Sequence, residues 1–284
     1  MRRKSVLATV CLLGAIALIA VFLIPALERR SIYFPAAEYE AVPEDYGLSA
    51  ETLEIPSAGG VRLAGWWIRG NGATALLYFH GNGGNISHRL ERTKMLVDTL
   101  GLDVFLVDYR GYGKSSGAPD EAGLSADGEA IYEAARARGF APQRIVPFGE
   151  SLGGAVAIET ALRKPVRAIV LEAPFLSIPK MARTIYPFLP SFAVRTKFDN
   201  ESKIARLHIP KLVVAAEKDD VVPFEQARRL FELAREPKQF FVIRGAAHNN
   251  TYIVGGKEYL EVWSQFLGTT PTAGADSSSL RSSE

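Results

Sequence analysis

The sequence predicts an α/β chain: a mostly parallel central sheet with helices on both faces, preceded by one N-terminal transmembrane helix. Three observations carry this expectation. Short apolar, β-branched runs alternate with amphipathic runs of helical spacing from about residue 50 to residue 267. Residues 6–24, VLATVCLLGAIALIAVFLI, carry no charge and are apolar apart from one Thr and one Gly. At helical rise such a run roughly matches a ~30 Å hydrocarbon core. Finally, the 284 residues are 48% apolar, enough for one large core.

The termini come first. Arg2, Arg3 and Lys4 precede the apolar run, while Glu28, Arg29 and Arg30 follow it. The positive excess on the N-terminal side predicts a cytoplasmic N-terminus, with the rest of the chain on the non-cytoplasmic side. A cleaved signal peptide is the alternative, but the run is long for one and no small-x-small site follows it. The single cysteine, Cys11, lies inside the run, so no disulfide can form within the chain. The last residues, TTPTAGADSSSLRSSE, lack a periodic apolar face and read as a disordered tail. The expected organisation is therefore an anchor (1–30), one domain (31–268) and a tail (269–284). A net charge of +2 without a basic stripe excludes a nucleic-acid partner.

Inside the domain the elements follow in order. TLEIP and VRLAGWWI are strand-like around the turn SAGG and suggest an antiparallel edge. ATALLYF is a short apolar run ending in HGNGGN. SHRLERTKMLVDTL has helical spacing through Leu90, Met95, Leu96 and Leu100, and Gly101 stops it. DVFLV, RIVPF, RAIVLE, KLVVAAE and KQFFVI read as buried strands. SADGEAIYEAARARG, LGGAVAIETAL, FEQARRLFELA and KEYLEVWSQFL read as the helices between and after them.

One motif in this pattern points to chemistry. GESLGG, residues 149–154, joins RIVPF to LGGAVAIETAL, and a strand–turn–helix is the setting that makes G-x-S-x-G informative. A serine hydroxyl is a weak nucleophile unless a base lies within reach and a carboxylate orients that base. Of the four histidines, His248 in IRGAAHNN follows the last strand, where a base is expected. His88 reads as solvated, His208 as packing, and His80 as a structural hydrogen-bonding residue. KLVVAAEKDD places Asp219 and Asp220 after a strand, and spacing does not separate them. The order Ser, acid, His is the one expected of α/β-hydrolases. Candidate oxyanion donors are the N–H of Leu152, at a helix N-terminus, and that of Asn82 in HGNGG. DYRGYGKSSG is no phosphate loop, because Asp108 stands where a glycine is required. Asp108 and Arg110 read as residues that fix that loop.

With these segments in hand, the chain resembles the α/β-hydrolase superfamily. More narrowly, it is similar to a membrane-anchored subgroup that includes protein depalmitoylases and lysophospholipid lipases. FHGNGGN, DYRGYGKSSG, FGESLGG, KFDNESKI, KDDVVP and GAAHNN carry the resemblance, and they span nearly the whole domain in order. It implies the α/β-hydrolase fold, Asp219 as the acid of a Ser151–Asp219–His248 triad, and Asn82 and Leu152 as oxyanion donors. It implies neither a metal nor an organic cofactor. Glu150 departs from the Arg or Gln that relatives often carry, which puts substrate preference in doubt.

Between RAIVLE and KLVVAAE, FLSIPKMARTIYPFLPSF is aromatic and proline-rich without a clear helical period. It reads either as a short lid, with Phe188, Leu189 and Phe192 facing an acyl chain, or as a core-packing crossover. The expected activity is hydrolysis of carboxylic esters or thioesters, with lipid-like acyl substrates. The alternatives are a serine peptidase of the same fold and a non-catalytic, membrane-anchored binding protein.

Overall fold

A computed structural model describes residues 26–268. Among them no helix is long and apolar enough to cross a membrane. The expected span (6–24) and the expected tail (269–284) lie outside the described residues.

The chain opens with a helical stretch, 26–32 (α1), and a two-residue strand, Phe34–Pro35 (β1). Strands β2 (Ala50–Ser57) and β3 (Val61–Ile68) form an antiparallel pair, as the two early runs predict. Then come β4 (Ala75–Phe79), β5 (Gly83–Gly84), α2 (Leu90–Leu100) and β6 (Asp103–Val107). They are followed by α3 (Glu121–Ala137), β7 (Ile145–Glu150), α4 (Leu152–Arg163) and β8 (Ile169–Glu172). The remainder is α5 (Ile178–Ile185), α6 (Asn200–Lys203), β9 (Lys211–Ala216), α7 (Phe224–Leu233), β10 (Lys238–Ile243) and α8 (Thr251–Leu267).

Eight strands form one sheet in the order β10-β9-β8-β7-β4-β6-β3-β2. Strand β3 runs antiparallel to both neighbours, and every other pairing is parallel. Alternation along β4 sends Leu77 and Phe79 into one core and Leu76 and Tyr78 into the other. The first core is covered by α3, α4 and α7 through Ile131, Val156 and Leu230. The second is covered by α2 and α8 through Leu96, Tyr259 and Trp263. Each fully buried side chain of this size contributes roughly 1.5–3 kcal/mol.

Helix ends follow the sequence signals. Asp120 caps α3 by accepting the N–H of Gly123 at 2.7 Å. Gly101 ends α2 at φ 65° and donates its N–H to the Val97 carbonyl. The structure departs from expectation at three places. The closing helix begins at Thr251, well before KEYLEVWSQFL, and bends at Gly256. His208, expected to pack, is exposed at the entrance to β9. The stretch expected to lack helical period contains α5. Its Ile178, Met181, Ala182 and Ile185 share one face, and Pro179 occupies the first turn, where no N–H is needed.

The topology also locates a crevice. Strand β4 pairs with β6 on one side and β7 on the other, so the strand order reverses there. Ligands of open α/β sheets bind beyond the carboxyl ends of the strands at such a switch point. Those ends lead into His80–Gly84 and into Ser151.

Candidate active site

Ser151 occupies the junction of β7 and α4 with φ 52° and ψ −113°. A side chain in that region costs roughly 1–3 kcal/mol and persists only where its surroundings enforce it. Two hydrogen bonds of 2.9 Å do so: Ser151 donates its N–H to the Glu172 carbonyl, and its own carbonyl accepts the N–H of Gly154. The motif's glycines are steric necessities. A Cβ on Gly153 would collide with the carbonyl oxygen of Phe79, and one on Gly149 with that of Gly153. Without those atoms β4, β7 and α4 close together and hold the serine at their meeting point.

The loops after β9 and β10 supply the other two groups. Asp219 Oδ1 accepts the N–H groups of Val221 (2.9 Å) and Val222 (2.7 Å), which fixes its carboxylate. Both of its oxygens meet His248 Nδ1, at 2.9 and 2.8 Å. Both side chains are buried. Asp220 is exposed and accepts the backbone N–H of His248, at 3.2 Å. That bond is the first cause holding its carboxyl below the usual range. Geometry thus separates the two aspartates that spacing does not. With Nδ1 on the carboxylate, Nε2 is the nitrogen left to accept a proton. Ser151 and His248 end up at the same edge of the sheet, although no hydrogen bond joins hydroxyl to imidazole among the described residues. Such bonds commonly tighten only when substrate arrives.

Leu152, the first residue of α4, has no carbonyl one turn back for its N–H. Asn82 donates its side-chain amide to the Ile32 carbonyl (3.0 Å), and its carbonyl accepts from Phe34 N–H and the Tyr112 hydroxyl, both at 2.9 Å. None of these uses its backbone N–H. β1 pairs in parallel with β5, so the segment leading out of α1 braces the loop that follows β4.

Above Ser151 lies a cavity of about 800 Å³. Ser151, Leu152 and Asn82 form part of its wall, and α5, the 3-10 turn Ser191–Ala193 and α1 form its roof. Leu189 and Phe192 line it. Phe188 does not. The Leu189 N–H bonds back to the Tyr186 carbonyl, and this turn throws Phe188 fully into solvent (99% exposed). The segment therefore roofs a cavity, while Ile178 and Met181 also touch the core. Leu27 and Glu28, on the anchor side of the expected boundary at residue 30, belong to the same wall.

Beneath the serine sits a buried ionic network that the sequence does not announce. Arg92 binds Glu172 at 2.7 Å and Glu150 at 3.4 Å, and Arg89 binds Glu150 at 3.4 Å. Tyr78 donates to Glu150 and Tyr259 to Glu172, at 2.9 and 2.8 Å, and Thr251 also donates to Glu172. Burial pushes the Glu150 carboxyl up. Arg89, Arg92, the Tyr78 hydroxyl and the His248 imidazole together outweigh burial and hold it at about 2. Glu150 thus points into this network and is not among the residues that line the cavity. The network joins α2, the ends of β7 and β8, and the start of α8, next to His248. Its partners are distant in sequence, so no local signal could reveal it.

The remaining candidates are structural. His80 is buried, with Nδ1 2.8 Å from the Gly81 carbonyl, and burial lowers its imidazole to about 3. Its 3.5 Å approach to Asp108 is accordingly no ion pair. Burial raises Asp108 to about 7, although Tyr39 and the Ile86 N–H both donate to it. Arg110 grips Asp127 through Nη2 (2.8 Å) and Nε (3.0 Å). His88 is exposed, takes the Asn85 N–H on Nδ1 and approaches Glu40 at 3.1 Å.

Known proteins share this arrangement of sequence and fold. A family model described as serine aminopeptidase S33 matches residues 71–204. An uncharacterised protein of Mycobacterium tuberculosis is 35% identical over 96% of this chain and 99% of its own length. The α/β-hydrolase domain-containing protein WAV2 of Arabidopsis thaliana is 33% identical over 89% of this chain and 92% of its own. A Pyrococcus furiosus esterase of known structure shares the fold with a TM-score of 0.69 at 20% identity, covering 84% of this chain and 97% of that one.

Proposed function

The chain belongs to the α/β-hydrolase superfamily, and from that premise we propose that it is a serine hydrolase of carboxylic esters or thioesters with apolar acyl groups. The observation that carries the proposal is the strained Ser151 backbone, held at the foot of an apolar cavity. Ser151 attacks the carbonyl. His248 Nε2 takes the hydroxyl proton and returns it to the leaving group. Asp219 orients the imidazole and stabilises its cation. The N–H groups of Leu152 and Asn82 receive the developing negative charge, where one donor is worth about 3 kcal/mol of barrier. Water then releases the acyl-enzyme.

The matching family model makes a peptidase the second reading. An aminopeptidase needs a carboxylate to receive the substrate's ammonium group. Glu28 is the one carboxylate among the residues lining the cavity, and it already accepts the N–H groups of Arg195 (3.2 Å) and Thr196 (2.6 Å). The apolar wall suits an acyl chain better, and the structurally similar Pyrococcus furiosus protein is an esterase. In the same reading, residues 6–24 anchor the enzyme in a membrane with the domain on the non-cytoplasmic side.

A fluorophosphonate probe tests the nucleophile. It should label the wild type and leave Ser151→Ala unlabelled; a folded wild-type protein that resists labelling overturns the reading. Nitrophenyl esters of graded chain length, run beside aminoacyl nitroanilides, decide between esterase and peptidase.

A further inference from the structure

Resting on the hydrolase and anchor readings above, we propose that the cavity roof is a membrane-docking surface. Phe188 and Phe192, with Ile185, Tyr186, Leu27 and Phe34 around them, sit in the lipid interface. Acyl substrates then reach Ser151 sideways from the bilayer.

The first support is where exposed apolar surface collects. Among the described residues ten large hydrophobic side chains are exposed, and six of them line this one cavity. Phe188 projects from the same roof, and Phe192 is 87% exposed. A concentrated patch of this kind marks an interaction site. The two phenylalanines are bulky and uncharged, as interfacial anchors are.

The second support is where the undescribed chain ends. The apolar run 6–24 stops three residues before Leu27, which is already in the cavity wall. Three residues span at most ~11 Å even when fully extended. Whatever the conformation between them, a bilayer holding residue 24 lies beside the roof. Glu28 bonds to the Arg195 and Thr196 N–H groups and ties α1 to the roof directly.

The third support is charge. Arg195 lines the cavity, Arg29 and Arg30 follow Leu27 and Glu28 in α1, and Arg183 lies on α5; all four are exposed and none makes an ion pair with a described residue. Headgroup phosphates would meet them. A second copy of this chain would present the same four cations and repel.

The test uses the full chain carrying Ser151→Ala and Cys11→Ser, so the readout needs no turnover. Nitrobenzoxadiazole is attached at Phe188→Cys or at Lys257→Cys, a position 89% exposed on α8. The protein is placed in nanodiscs of phosphatidylcholine and phosphatidylglycerol containing doxyl lipid. The expected result is a blue shift and quenching at 188, with neither at 257. Equal, unquenched emission at both positions overturns the proposal. Energy transfer between protomers at 188 without lipid quenching assigns the patch to a second copy instead, and also overturns it. In a second arm, Phe188→Glu should slow hydrolysis of a bilayer-embedded acyl ester about ten-fold while leaving a soluble short-chain nitrophenyl ester unchanged. Equal loss on both esters overturns it. Failure of the wild type to take a fluorophosphonate would sink the hydrolase reading without touching the quenching result.

Discussion

The floor and the roof of the cavity are built on opposite principles. The floor is over-determined. Ser151 is pinned by two backbone bonds and by glycine contacts that admit no Cβ, and it sits above a largely buried ionic network. The roof has no buried residue in α5, and Phe188 is fully in solvent. On the proposed mechanism, reaction geometry must hold to a fraction of an ångström, and the rigid floor suits it. Discrimination between acyl groups would then need only shape and apolar area, which a thin roof supplies.

Substitutions on the two sides should therefore separate chemistry from selection. The largest effect is expected at Ser151→Ala, which should lower ester hydrolysis by about 10⁴-fold or more with little change in Tm. Comparable hydrolysis by this variant would remove the floor from the chemistry. Next, Arg92→Met strands Glu150 and Glu172 without their shared cation, and should cost about 3–5 kcal/mol in urea unfolding. A loss under about 1 kcal/mol would mean that the network does not hold the floor.

Acid should then show the same dependence. Glu150 ordinarily titrates near 4.5 and is held at about 2 in the folded protein. Burial opposes that depression, and Arg89 and Arg92 lead the contributions that produce it. A depressed carboxyl adds stability that is complete above its unfolded value and is lost as pH falls toward its folded one. Unfolding midpoints should drop between pH 4.5 and 2 in the wild type and stay flatter across that window in Glu150→Gln. The smallest effect belongs to the roof. Ala182→Phe fills part of the cavity and should disfavour long over short acyl esters by roughly ten-fold, with stability unchanged to within about 0.5 kcal/mol. A large change in Tm here would erase the contrast between the two regions.

The same division explains what the sequence discloses. The proposed chemistry needs particular residue types at fixed local spacings, so GESLGG, HGNGG, KDDVVP and GAAHNN stand out in the sequence. The choice of Asp219 over Asp220 needs more, because it depends on which carboxylate the turn to Val221 and Val222 rotates inward. The roof asks only for apolar area, and many sequences supply it. The helical spacing of Ile178, Met181, Ala182 and Ile185 is present but masked by Pro179, Pro187 and Pro190. Phe188 and Leu189 are neighbours of equal hydrophobic promise, and only the turn back to Tyr186 decides which one faces inward. The Arg92–Glu172 contact joins residues from separate helices and strands, a relation that no short window contains.

The two-residue pairing of β1 with β5 carries a consequence for how this protein can be shortened. Residues 34 and 35 precede the sheet and would be natural casualties of shortening the N-terminus to gain solubility. Yet they splint the glycine loop that contains Asn82. On the proposed mechanism, a version trimmed past residue 36 would forfeit turnover while its main sheet stayed whole, and a silent assay of that preparation would be misread as evidence against an enzyme.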